Sequence, residues 1–367
     1  MHRLAKWLLL LMAAFLIAGC QLMPGAKHRA YSQFVGKTDL SNFQQSTNNL
    51  GELVLLSPAI KSRTPWNELV LSWNVVPQTG SSIHVEACAQ VDDRTTKFYS
   101  LGNWSLDPHA RTSASSSKQA DADGAVHADT LVLTSSADSA QVRITLQGTN
   151  QTRPNIKFLG LSFCNTSVTP KKLFMKSQVW GKEIQTPEIS QLAYPDGGGW
   201  CSPTSLTMAL NRWAAVCGRS DWHFDVPEVA ASLKDHTGTL ATGNWSFNVA
   251  FAGSLAGMRA YATRFSDMSE LEQWVGKGIP VVISGRSDLL EAGRNHDSEG
   301  HLTVVTGFTK SGDVIINDPA TRLGKQSVRR IYQRENVLRA WATSHNTVYL
   351  VFPEGQELPH DRFRHWH

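Results

Sequence analysis

The 367-residue sequence predicts two domains, an all-β sandwich over residues 51–165 followed by an α+β domain over residues 186–353. Three observations predict this. Residues 51–165 hold short apolar runs separated by turn-forming residues. A glycine loop, Gly197-Gly198-Gly199-Trp200, then runs into Cys201 and a helical apolar period. Beyond it, helical patterns give way to strand-like runs joined by tight turns, the order of an α+β domain. Apolar residues make up 41% and charged residues 18%, enough to build sizeable cores. The net charge is only +4, and two of those charges are Arg3 and Lys6. Neither nucleic acid nor an acidic substrate is indicated as a partner.

Residues 1–19 read as a signal peptide. Arg3 and Lys6 precede an apolar run from Trp7 to Ile17, too short to span a bilayer. The run ends in Leu16-Ile17-Ala18-Gly19-Cys20, which resembles a bacterial lipobox. That resemblance implies that Cys20 is lipidated, becomes the mature N-terminus and ties the protein to a membrane. Gln21, in place of Asp, resembles the outer-membrane sorting pattern of Gram-negative lipoproteins, a location facing the periplasm. Residues 20–50 are polar and patternless and read as a flexible tether.

In the first domain, residues 53–56, 68–73, 83–88, 130–133 and 142–146 are the strand-like runs, and residues 112–118 read as a serine-rich loop. No glycine-rich phosphate loop occurs among them. Trp66, Trp73 and Trp104 are either core aromatics or the lining of a sugar-binding face. Cys88 and Cys164 fall in two different runs, and an exported protein meets an oxidising compartment, so a Cys88–Cys164 disulfide is expected against the alternative of two buried thiols. Residues 166–185 read as a linker and residues 354–367 as a C-terminal tail.

The second domain opens on Cys201. Pro203 suits a first helical position, and Leu206, Ala209, Leu210, Trp213 and Val216 follow at helical spacing. A thiol at a helix N-terminus meets unpaired N–H groups and the positive end of the helix dipole, which favour the nucleophilic thiolate. On this stretch alone, a buried structural cysteine is an equal reading. Cys217 ends the same helix, about 24 Å away if the helix is continuous, and cannot bond to Cys201. Residues 226–233, 245–252 and 269–275 read as further helices, and residues 279–284, 300–308, 314–319 and 348–352 as strands. A turn at residues 310–313 brings His301 within a rung or two of Asp318. A carboxylate beside an imidazole fixes its tautomer and stabilises its protonated form. A thiol, an imidazole and a carboxylate in that order form an activated nucleophile set. No cysteine–histidine spacing suits zinc, and no cofactor or metal is implied.

Residues 200–205, Gly300-His301-Leu302 through Phe308, and Gly312-Asp313 through Ala320 resemble the papain-like cysteine peptidases related to double-glycine leader peptidases, over residues 184–353. The resemblance implies a papain-like fold with Cys201 as nucleophile, His301 as general base and Asp318 as its orienting group. It also implies that Gln191, with Gln185 as the weaker rival, lines the oxyanion hole together with backbone N–H groups at Cys201. Ser202 stands where relatives commonly carry glycine, and Gln191 is farther from Cys201 than in many of them. Residues 243–248 resemble a segment of exported relatives, which places Trp200, Trp245 and Asn248 at a substrate cleft or, equally, in packing. The function expected is a lipid-anchored cysteine peptidase acting on a peptide or protein, with cell-wall material among the substrates that suit it. The alternatives are a peptidoglycan amidase or endopeptidase, and a non-catalytic lipoprotein that binds cell wall or glycan.

Overall fold

The computed structural model describes residues 31–106, 112–116, 119–149, 152–170, 178–237, 241–291, 300–322 and 324–367. The expected signal peptide and Cys20 fall outside the described residues. The first domain comprises β1 (Ser32–Lys37), β2 (Gln44–Thr47), β3 (Leu53–Leu56), β4 (Ile60–Val76), β5 (Ser82–Val91), β6 (Arg94–Thr95), β7 (Tyr99–Trp104), β8 (Gly124–His127), β9 (Thr130–Gln147) and β10 (Asn155–Cys164). The all-β expectation holds. These strands form one curled antiparallel sheet, with β1-β10-β4-β9-β3-β2 in order and β5 also paired to β9. The curl follows from strand length. β9 runs for 18 residues, pairing with β8 and β4 through its first half and with β5 and β3 through its second. The runs at 130–133 and 142–146 are therefore two parts of one strand.

Four expectations are corrected here. Residues 31–50 are not a tether. β1 pairs with β10, β2 pairs with β3, and Phe34 and Phe43 are buried in the core. Polar residues in these strands hide the pattern because β2 is exposed along its whole length. Trp66, Trp73 and Trp104 are 1%, 0% and 2% exposed, so they are core aromatics and line no sugar-binding face. Cys88 and Cys164 are buried free thiols. Cys88 sits in β5, beside β9, whereas Cys164 sits in β10, beside β1 and β4. Residues 354–367 are no loose tail. Trp366 is buried, His365 bonds to Glu270 at 2.7 Å, and the Phe34 N–H donates to the Arg364 carbonyl at 2.7 Å.

The second domain holds α1 (Cys201–Cys217), α2 (Val226–Ser232), α3 (Trp245–Ser254), β11 (Met258–Arg264), α4 (Met268–Gly276), β12 (Val281–Arg286), β13 (Gly300–Phe308), β14 (Val314–Asn317), β15 (Arg329–Tyr332), α5 (Arg334–Ala342) and β16 (Thr347–Pro353). Its sheet is antiparallel, in the order β11-β16-β12-β13-β14-β15. This is the expected α+β architecture. α1 packs its apolar face on the sheet and ends at Gly218, whose φ of 65° is the left-handed cap that glycine adopts without a Cβ clash.

The two domains share one apolar core. α3 lies between β4 of the first domain and β11 of the second. Asn74 of β4 donates to the Ala260 carbonyl at 2.6 Å and accepts the Ala260 N–H at 3.1 Å, so one side chain satisfies both backbone groups that face the junction. Glu68 of β4 pairs with the buried Arg264 of β11 at 2.7 Å. Residues 166–170 and 178–185 connect the domains, and Glu183 forms a bridge to Gly307.

Candidate active site

Cys201 is the first residue of α1. The helix begins two residues earlier than Pro203 suggests, so Pro203 falls third in the first turn, where a missing N–H still breaks no helical bond. The loop before it is held tightly. A Cβ on Gly197 would lie 1.7 Å from the Gln191 carbonyl oxygen, so only glycine fits there. No acidic residue occupies the first turn and no side chain caps it, which leaves the positive helix end for the thiol.

His301 stands near the start of β13, across from the β13–β14 turn, and its position depends on a bulge. Val305 pairs with Ile316 and Gly307 with Ile315, leaving Thr306 as the extra residue. Beyond the bulge Val304 pairs with Asn317, so Asp318 comes opposite Thr303, on the same face as His301 two residues away. Were Thr306 paired with Ile316 instead of bulged, Asp318 would face Val304 and point to the other side of the sheet from His301. His301 Nε2 lies 2.9 Å from Asp318 Oδ1. Asp318 Oδ2 accepts the Tyr332 hydroxyl at 2.6 Å, and Oδ1 also accepts the Ala320 N–H at 2.9 Å.

The other imidazole nitrogen faces Cys201, with which His301 shares a hydrogen bond. α1 is fastened to β13 at this point. The Leu302 N–H points at the Cys201 sulfur, and Ser205 Oγ donates to the Leu302 carbonyl at 3.0 Å. Ser202, which departs from the commonest pattern, bonds to the Tyr349 hydroxyl at 3.1 Å behind the sulfur.

Electrostatics favour an ion pair. Burial opposes ionising Cys201, but the His301 hydrogen bond and charge and the Leu302 and Ser202 N–H groups outweigh it and lower the thiol pKa. Burial likewise opposes a charged His301, and the Asp318 charge and hydrogen bond, then Cys201, raise it to about 10. Burial would raise Asp318, yet His301, Tyr332 and the Ala320 N–H hold it well below the usual carboxylate range. The arrangement favours a thiolate beside an imidazolium, the state in which a cysteine attacks a carbonyl.

Cys201 opens on a cleft of about 710 Å³ lined by Gly199, Trp245, Leu302 and His345, and by residues of the first domain. Trp245 is on its wall. Trp200 is the half-buried residue before α1, with its ring 6.1 Å from that of Tyr194. Asn248 is corrected to a packing residue. It is fully buried, and its Nδ2 donates to the Thr242 and Asn244 carbonyls at 2.9 and 2.8 Å. Gln191 is buried beside the cysteine loop, with Nε2 donating to the Gly197 carbonyl at 2.9 Å and its own N–H donating to the Pro319 carbonyl at 2.9 Å. Its rival Gln185 is exposed. Sequence reasoning missed Tyr332, Ser205 and the first-domain wall of the cleft, because each acts through tertiary contact and belongs to no local pattern.

A helix-start cysteine and a histidine–aspartate hairpin on an antiparallel sheet define a papain-like domain. Residues 183–349 match the Peptidase C39 like family, and residues 18–163 match a Peptidase C39 N-terminal domain. The two matched segments correspond to the second domain and to the β domain in front of it. The crystal structure of a Bacillus anthracis protein described as a C39-like peptidase is similar at 18% identity, covering 47% of this chain and 98% of that one, with a TM-score of 0.35. No curated protein sequence matches the chain.

Proposed function

We propose that the protein is a cysteine peptidase of the cell envelope, held to a membrane by a lipid on Cys20, that hydrolyses peptide or amide bonds through Cys201, His301 and Asp318. The observation that carries this reading is the hydrogen-bonded line from Cys201 through His301 to Asp318 at the edge of a cleft. The Cys201 sulfur attacks the scissile carbonyl carbon, and the carbonyl π electrons move onto the oxygen. His301 donates its proton to the departing amine as the C–N bond breaks, which leaves a thioester on Cys201. A water molecule then gives its proton to His301 and attacks the thioester, releasing a carboxylic acid and restoring the ion pair. Asp318 keeps its charge throughout and orients the ring. Gln191 retains a second N–H on the nitrogen that holds Gly197, and this N–H, with backbone N–H groups at Cys201, serves the developing oxyanion.

Comparison of the envelope N-terminome between wild type and Cys201→Ala tests the reaction and identifies the substrate. New peptide termini absent from the variant are the expected result, whereas a difference confined to muropeptides would assign the activity to peptidoglycan. Identical profiles, with Cys201 no more reactive than the exposed Cys217, would leave a binding lipoprotein. Metabolic labelling with an alkynyl fatty acid tests the anchor, and Cys20→Ser is expected to lose the label.

A further inference from the structure

The wall of the cleft facing α1 is not supplied by the peptidase domain alone. The β8–β9 turn of the first domain places His127, Ala128, Asp129 and Thr130 on it, together with Glu68 of β4. Asp129 is 3% exposed. Its Oδ2 accepts the backbone N–H of Trp245, the first residue of α3, and its Oδ1 accepts the Thr130 hydroxyl at 3.2 Å. A first-turn N–H has no partner within its own helix. Asn244 caps α3 by accepting the Phe247 N–H at 3.0 Å and leaves the Trp245 N–H to Asp129. A second tie runs beside it, from Ser246 Oγ to the Leu71 carbonyl of β4 at 2.6 Å. The first turn of α3, which carries a cleft-lining tryptophan, is thus held from the other domain.

We propose that Asp129 is a positioning residue of the peptidase cleft: from the β domain it fixes Trp245 as the surface against which a peptide substrate is aligned beside Cys201, so that the substrate site belongs to both domains. The proposal rests on the peptidase reading above. The contacts that activate Cys201 come from His301, Leu302 and Ser202, none of which belongs to this wall. Loss of Asp129 therefore separates binding from reactivity. Burial, countered only in part by the Trp245 N–H, pushes the Asp129 carboxyl up to about 6, so the tie also changes its charge within the ordinary pH range. The other charged or titratable groups around it are His127, Glu68, Arg264, His345, Tyr349 and the Cys201–His301 pair.

Two probes of different size test this on the full chain. Iodoacetamide reads the thiolate, and an epoxysuccinyl peptide reads the thiolate and the cleft together. In Asp129→Ala, iodoacetamide alkylation of Cys201 is expected to stay within about twofold of wild type, while labelling by the peptide falls about tenfold through KI with kinact kept. Asp129→Asn restores part of that loss, to the level wild type shows below pH 6, because its neutral amide oxygen still accepts from Trp245. The ratio of the two labelling rates should bend near pH 6 in wild type and stay flat there in Asp129→Asn, with His127 and His345 present in both. Equal peptide labelling of wild type and Asp129→Ala overturns the proposal, as does a fall shared in proportion by both probes. If Asp129→Ala does not fold, Asp129→Asn decides through the pH ratio, and an unchanged bend overturns it. A wild-type Cys201 that reacts no faster than Cys217 would instead remove the peptidase reading, a separate outcome.

Discussion

At the scale of residues, the site is a chain of three ionisable groups whose charges depend on one another. Each pays for burial through its neighbour: Cys201 through His301, His301 through Asp318, and Asp318 through His301 and Tyr332. Removing the middle group is therefore the severest change. His301→Ala is expected to slow iodoacetamide alkylation of Cys201 about a hundredfold at pH 6, since the thiol then meets burial without a cation. Asp318→Asn and Tyr332→Phe should slow it less, about tenfold and about twofold. Equal rates in wild type and His301→Ala would show that the two residues are not a pair. The pH profile follows from the directions of the shifts. His301 binds its proton up to about 10 in the folded chain, against 6.5 for an ordinary histidine. Its contribution to stability is thus complete below about 6.5 and is lost as pH rises through about 10. Asp318 works the other way, contributing above the ordinary carboxylate range and losing that contribution as pH falls through its depressed value. Peptide turnover should decline as pH approaches 10, because His301 then has no proton for the leaving amine. Alkylation, which needs only the thiolate, should not. All three members of the set were legible in the sequence, because a glycine loop into a helix and a hairpin spacing are local signals. Tyr332 was not, since β15 reaches Asp318 only through the sheet.

At the scale of elements, the β13–β14 hairpin shows what spacing does and does not reveal. Counting back from the turn brings His301 near Asp318 but does not decide whether they share a face. Thr306 decides it. The bulge has its own support: the Thr306 carbonyl accepts the Ile184 N–H at 2.7 Å, and its hydroxyl donates to the Ile315 carbonyl at 3.3 Å. Deleting Thr306 removes the bulge but leaves Val305 opposite Ile316 and Asp318 opposite Thr303, so the bond to His301 and more than about half of the epoxysuccinyl-peptide labelling should survive. Thr306→Ala keeps the residue count and should keep more than about half of the wild-type rate. Labelling of the deletion variant as low as that of His301→Ala would show that the bulge itself, and not the register, holds the pair together. Other elements escaped the sequence for similar reasons. β11 carries Arg259, Thr263 and Arg264 through a mostly buried edge position, so it lacks the apolar run of a buried strand. β1 becomes legible only beside β10, which covers it. α5 is polar over much of its surface, and its Val337, Ala340 and Trp341 face inward only because β12 lies beneath them.

At the scale of the whole molecule, the two domains that chain length suggests are separate in chain order but share one buried apolar cluster. Glu68 illustrates this. Burial raises its carboxyl, and the His345 hydrogen bond and the Arg264 charge overcome that and bring it below its ordinary value. Its partner Arg264 is 2% exposed. Glu68 is on β4, Arg264 on β11 and His345 after α5, and all three line the cleft that holds Cys201. A buried pair adds little net stability, but removing one partner leaves the other charge stranded, at a cost of about 3–5 kcal/mol. Glu68→Gln should therefore lower the stability of both domains together, in one cooperative transition, because their apolar residues form a single cluster. Tryptophan fluorescence weighted to the first domain and Cys201 accessibility in the second should then report the same midpoint in urea. Two transitions, with Cys201 still protected after the first, would show that the β domain is an independent accessory. A single shifted transition would mean that the peptidase site has no stable form without the sheet that precedes it, and that changes in the first domain reach the chemistry through the wall they share.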